Sequence, residues 1–339
     1  GATGATGASG VSGSVTDLSD ALVEDNSIYI GNDPSGTTDN ALYNVAIGTT
    51  ALGALTTGDK NTAIGFGTLT SNTTGTENTG VGYQALNSNS DGQLNTAIGH
   101  RALRKNTTGG SNTAVGDYAL ASNTTAQDNT AIGREALLSN STGNKNTAVG
   151  RAALAANTTG YYNTATGYGA LYNNTTGFFN TAVGHSALDS NTSGYHNLAA
   201  GYRALQNNIT GSLNTAIGFE SLKANTTGNY NVAVGEASLH SNQSGSYNTA
   251  LGMDTLKDLY GGTYNTAIGR SALETNYSGS ENTSVGAYSL NNLYDGEYNT
   301  AAGMKALQYV SSGGYNAAVG FEAGYGITTG SYNTAIGYQ

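Results

Sequence analysis

The residues able to do chemistry are few and far apart. Four histidines, His100, His185, His196 and His240, stand in a chain without cysteine, so a metal site would need imidazoles and carboxylates alone. His100 and His185 occupy equivalent places in a repeat but lie five repeats apart. No Ser–His–Asp or paired-carboxylate spacing joins the others to a nucleophile. The other chemical pattern is the recurrent Asn-Thr-Thr-Gly, as at 72–75. It lacks the Lys that follows the glycine of a phosphate-binding loop, and the calcium-binding nonapeptide of β-helical repeats does not occur. Asn72-Thr73-Thr74 is formally a glycan acceptor, read here as a by-product of a turn. The expectation is no enzyme, no cofactor and no metal.

Composition narrows the partners. The 339 residues include 50 Gly, one Pro and no Trp, and they carry a formal charge of -10 with only 12 Lys and Arg. Nucleic-acid affinity comes from clustered cations, so that class is disfavoured. No run of 18 apolar residues could cross a membrane as a helix, so no membrane insertion is expected. The chain opens on Gly1 without Met or a leader and stops just past a fresh repeat motif. An excised segment that continues beyond Gln339 is expected.

Three zones follow one another. Residues 1–16 begin GAT GAT GAS GVS GSV, with Gly at every third place, the period of collagen; a Gly/Ser/Thr linker is the alternative. Residues 17–43 hold Pro34 and a degenerate repeat at Ser27–Gly31, and read as a transition and N-terminal cap. Residues 44–339 repeat N-T-A-[IV]-G-x-x-A-L-x-x-N-T-T-G-x-x without insertion, the first Asn recurring every 17 residues from Asn44 to Asn333. Seventeen residues are too few for a helical pair and suit one turn of a β-solenoid. The fold class is therefore all-β, a parallel β-solenoid with one coil per repeat, each coil expected to contain two short strands and two turns. Stacked at roughly 4.8 Å per coil, the column would be on the order of 80 Å long.

Within that fold the first Asn and the Asn at position 12 can form amide ladders. Strand alternation puts Thr and Ile on one face and Asn, Ala and Gly on the other. The expectation is that Ile and Val, Ile98 among them, point into the coil, and that the small-residue face serves chain-to-chain packing. One aliphatic pair per coil sets about 1.5 to 3 kcal/mol per buried side chain against a larger backbone entropy cost. Partner chains are expected to make up the difference, and a collagen period makes their number three.

The motif, as at Asn112–Gly116 and Asn265–Gly269, resembles the head repeats of YadA-like trimeric autotransporter adhesins. The resemblance covers Asn44 to Gln339, with a period longer than the family's usual head repeat. It implies a left-handed β-roll in each chain of a homotrimer, and an extracellular place on a cell surface or virion fibre. A collagen-like segment before such coils also resembles bacterial and phage trimeric fibres.

The function implied is a structural and adhesive fibre module that presents a tip or contacts a host or prey surface. Alternatives are a phage tail-fibre shaft, an ice-binding solenoid using the Thr column, and a polysaccharide-acting fibre. For contact, position 17 is singled out: it turns aromatic in the later coils, with Tyr230, Tyr247, Tyr264, Tyr298, Tyr315 and Tyr332. These rings should stack roughly 5 Å apart. They could brace the fold or offer a strip to a cell-surface glycan or envelope polymer.

Overall fold

Thr-Ala-Ile/Val at positions 2 to 4 forms a three-residue strand, and it is the only strand of its coil. The structure, a computed structural model, describes residues 21–24, 26–31 and 40–338. The collagen-period triplets, and residues 17–20, 25 and 32–39 of the 17–43 segment, Pro34 among them, lie outside the described residues. Contacts divide the chain into two units, 1–128 and 129–339. Among the described residues there is no helix.

In the first unit β1 (Ala21–Glu24) pairs antiparallel with β2 (Ser27–Ile30), which runs parallel to β3 (Val45–Ile47). Parallel strands β4 (Thr62–Ile64), β5 (Thr79–Val81), β6 (Thr96–Ile98) and β7 (Thr113–Val115) follow in unbroken register, Ala46 on Ala63 and Ile47 on Ile64. The second unit repeats the arrangement from β8 (Thr130–Ile132) to β20 (Thr334–Ile336). Each unit is a β-solenoid of 17-residue coils.

The second strand expected in each coil is absent because the backbone there is left-handed. Positions 7, 9 and 17 take φ between about +46° and +61° in nearly every coil, as at Arg101 (57°), Leu103 (49°) and Ser111 (57°). A β-branched residue is a marked outlier at such φ. This explains why position 9 is Leu in every coil except that of Gly324 and never Ile or Val, and why position 17 contains no β-branched residue at all. The non-strand half still bonds coil to coil: Leu69 N donates to Ala85 O at 3.0 Å and Ser71 N to Asn87 O at 3.1 Å.

Inside the coil the expected orientation is reversed. Ala97 is fully buried, while Ile98 is 41% exposed. Asn, Ala and Gly form the chain's own core, and Thr and Ile/Val face outward. The cause is space. A methyl built on Gly80, at position 3, would sit 2.6 Å from Thr68 Cγ2 and 3.6 Å from Leu69 Cδ1. Across this thin interior, Leu at position 9 and a small residue at position 8 leave room for a methyl or, at Ser284, a hydroxymethyl hydrogen-bonded to Ser289 O. Where position 8 enlarges to Thr68, position 3 shrinks to Gly80.

The rest of the core is amide. At position 1, Asn95 Nδ2 donates to Asn78 Oδ1 (3.1 Å) and to Gly109 O (2.8 Å), while Asn95 N also donates to Asn78 Oδ1 (3.1 Å). Ser27 stands in for the amide at the head of this ladder, its Oγ accepting from Asn44 N at 2.9 Å. The position-12 ladder is similar: Asn106 Nδ2 donates to Asn89 Oδ1 (2.7 Å) and to Gly109 O (2.9 Å). Buried amides are thus satisfied rather than stranded.

That second ladder is interrupted in places by aliphatics. Leu259 is fully buried, and the Oδ1 of Asn242 one coil earlier accepts no hydrogen bond among the described residues. Leu259→Asn should restore the rung. Its new amide can donate to Asn242 and to Gly262 O, with an expected net gain of about 1 kcal/mol. Urea unfolding measures this, and a loss of stability would refute the ladder account.

Candidate interaction surface

Position 17 lies in left-handed backbone between the Asn-Thr-Thr-Gly turn and the strand, and its side chains stack in columns on the outside. Tyr230, Tyr247 and Tyr264 stack with centroids 4.8 Å apart and planes within 6°. Tyr298, Tyr315 and Tyr332 also stack, at 4.8 and 4.9 Å with planes 14° and 5° apart. The six do not make one strip, because Glu281 occupies the place between Tyr264 and Tyr298. The negative charge of Glu281 and its hydrogen bond raise the phenol pKa of Tyr298.

Stacking decides what these columns can offer. Near-parallel rings at this spacing turn their faces onto one another. A sugar therefore finds ring faces only at column ends; elsewhere it meets ring edges and a row of phenol hydroxyls. The earlier coils carry a second pair of columns, Tyr161–Phe178–Tyr195 at position 16 beside Tyr162–Phe179–His196 at position 17, with spacings of 5.0 to 5.1 Å.

The broader surface is the outward strand face. Ile64, Ile98, Ile132, Val183, Ile217 and Ile268 are all exposed, and the Thr at position 2 is half-buried or exposed throughout. In the second unit this face spans thirteen strands. At about 4.8 Å per strand and 3.3 Å per residue it covers roughly 600 Å². Its Ile/Val row alternates with Thr and is interrupted by Thr166, Ala200 and Ala302, so the face is an amphipathic candidate for contact.

The histidines do not assemble. His100 Nδ1 lies 2.9 Å from Asp117 Oδ1 and its ring stacks on Tyr83. His185 sits between Tyr168 and Tyr202, and His196 stacks on Phe179. His240 Nε2 is 3.5 Å from Glu220, which also meets Arg203 and Lys223; the Lys223 hydrogen bond, foremost among these contacts, lowers the pKa of Glu220. Among the described residues no group of three or more His, Asp or Glu could hold a metal ion.

The Asn-Thr-Thr-Gly turns are filled by their own ladders. Asn157 is buried with Nδ2 bonded to Asn140 Oδ1 (2.7 Å) and Gly160 O (2.9 Å), and Thr158 Oγ1 donates to Thr175 O at 2.9 Å. Such an amide is closed to glycan transfer in the folded chain. A Cβ on Gly160 would lie 2.4 Å from both Asn157 Oδ1 and Gly177 O, leaving no cradle for a phosphate.

Sequence reasoning passed over the outward role of Ile and Val. The signal that could have found it is the Ala at position 3: so strictly small a residue marks the cramped side of a strand. Compared with known proteins, the chain matches no family model and no curated protein sequence.

Proposed function

We propose that this chain is a structural and adhesive module of an extracellular trimeric fibre on a cell surface or virion, in which three copies pack their outward Thr–Ile/Val faces together. The observation that carries the reading is the exposed Ile/Val column at position 4. Each coil closes its own core with Ala, Leu and Asn, so the larger aliphatics on the outside serve something other than that core. The roughly 600 Å² strip of the second unit approaches the ~800 Å² per partner of a stable interface. Thr and Ile/Val in matched register favour an identical surface as the partner, since equivalent rows repeat at the same spacing on every copy. The tyrosine columns, with their hydroxyl-bearing edges, would then contact a glycan or envelope polymer lying along the fibre.

Light scattering tests the assembly. The expected mass is about three times the single chain, from the trimer proposed on the packing argument. Because Ile98, Ile132 and Ile217 already stand in the open in one chain, changing all three to Asp should leave the coils folded and yield monomers. A wild-type mass of one chain, 34.2 kDa, would overturn the proposal.

The same face supports a second reading, because matched rows of half-exposed Thr on parallel strands are what an ice-ordering surface needs. The two readings exclude one another, since a trimer covers the array. A monomer that inhibits ice recrystallisation would put ice binding first.

A further inference from the structure

Among the described residues, ring contacts between tyrosines of different coils begin at Tyr230. In earlier columns Phe or His intervenes, as Phe178 does between Tyr161 and Tyr195. From there on, two columns complement each other. The position-17 column links the coil beginning at Asn214 to those at Asn231 and Asn248 through Tyr230, Tyr247 and Tyr264. Glu281 then breaks it. Across that gap the position-13 column takes over, Tyr260, Tyr277 and Tyr294 lying 5.6 and 5.5 Å apart. Tyr298, Tyr315 and Tyr332 resume at position 17. Every junction between successive coils from Asn214 to Tyr332 is therefore spanned by one of these tyrosine pairs, and the rings are between 41% and 78% exposed.

We propose that these seven coils are a site of oxidative tyrosine coupling, in which a peroxidase using hydrogen peroxide joins the tyrosines of successive coils by carbon–carbon bonds. Each of two neighbouring phenols loses one electron and its phenolic proton. The two phenoxyl radicals couple at ortho carbons, and the ortho hydrogens shift to the oxygens as both rings regain aromaticity. Peroxide accepts the two electrons and two protons, and with its own two hydrogens leaves as two waters. In the position-17 columns near-parallel rings translated by one rung bring equivalent ortho carbons to the centroid spacing, the position-13 rings are tilted by 36° and 38°, and in both the half-exposed side chains can turn to close the remaining distance. Coupling within the column outruns coupling between molecules because the partner ring is held in place, at an effective concentration no dilute solution reaches. A phenol has two ortho positions, so Tyr247, Tyr277 and Tyr315 can each bond in both directions.

The test treats the full chain, dilute and folded, with peroxidase and hydrogen peroxide, then maps cross-linked peptides by mass spectrometry. Expected are links that each lose two hydrogens and join the pairs named above, and coils that resist a urea concentration that unfolds the untreated chain. Tyr247→Phe with Tyr315→Phe keeps the rings and the stacking while removing phenols from four junctions. In that variant, checked for an unchanged melting temperature, only the two junctions of the Tyr260–Tyr277–Tyr294 column and the edge-on pair Tyr309–Tyr325, whose centroids are 4.7 Å apart, should still link, and these also serve as the internal control if the position-17 columns loosen. Absence of dityrosine, or links that fall mainly between chains or on Tyr172 and Tyr288, would overturn the proposal.

Discussion

Gly150→Ala should unfold the two coils that meet at it, at a cost of at least about 3 kcal/mol, from strained backbone and overlap together. Gly150 has φ +132°, a region closed to side chains, and a Cβ there would stand 2.6 Å from Gly167 O and 2.8 Å from Gly167 C in the next coil. Neither atom can retreat, because both belong to a backbone held by its own ladder bonds. Gly169→Ala is the contrast. Its φ is +62°, the nearest atom to an added Cβ is Ser186 Oγ at 3.8 Å, and Ala152 already takes φ +57° at the equivalent position. That change should stay within about 1 kcal/mol. Urea unfolding gives the totals, and amide exchange should place the loss of protection in the coils flanking Gly150. Equal effects of the two substitutions would show that close approach between glycines does not set position 5.

Asn163→Leu should cost about 3 to 5 kcal/mol through stranded buried donors, whereas Asn174→Leu should cost about 1 to 2. Asn163 Oδ1 accepts from both the backbone N (3.0 Å) and Nδ2 (3.1 Å) of Asn180. Its own Nδ2 donates to Asn146 Oδ1 (3.2 Å) and Gly177 O (2.8 Å). A leucine leaves a main-chain N–H buried with no acceptor and no path to water. At Asn174 no group loses its last main-chain bond: Gly177 O loses the Asn174 amide but keeps Asn163 Nδ2 at 2.8 Å, and Asn191 Nδ2 keeps Gly194 O at 3.0 Å. Leu55, Leu259 and Leu293 are tolerated at that position elsewhere, whereas position 1 is Asn in every repeat. Urea midpoints of the two variants decide between the roles, and similar losses would show that the backbone bond is not what distinguishes them.

The coil, its period and both amide ladders were legible in the sequence because stacking in register forces each position to repeat its chemistry. Which face of the strand points inward was not. Alternation divides Thr and Ile from Asn and Ala but carries no sign, and hydrophobicity alone chooses Ile for the core. The interior decides otherwise: Ala97 and Leu103 are both fully buried, and the close approach of Thr68 and Leu69 to Gly80 shows how little space remains at position 3 once the position-9 Leu is inside. The single strand per coil was likewise hidden. Its trace lay in residues that never occur, the β-branched ones missing from positions 9 and 17. For the tyrosines, the spacing of about 5 Å followed from the repeat. The turning of ring faces onto each other did not, since it depends on side-chain torsions set by left-handed backbone at Tyr230 (57°) and its equivalents.

The amide ladder at position 1 also has a direction. Every side-chain amide donates toward the preceding coil and accepts from the following one, from Asn61 onto Asn44 in the first unit and from Asn146 onto Asn129 in the second. Dipoles aligned in this way add rather than cancel, as they do along a helix. The column is therefore polar along its length, and at its head Asn44 donates its N–H to the Ser27 hydroxyl and its Nδ2 to Gly58 O, so the first rung leaves neither donor atom bare.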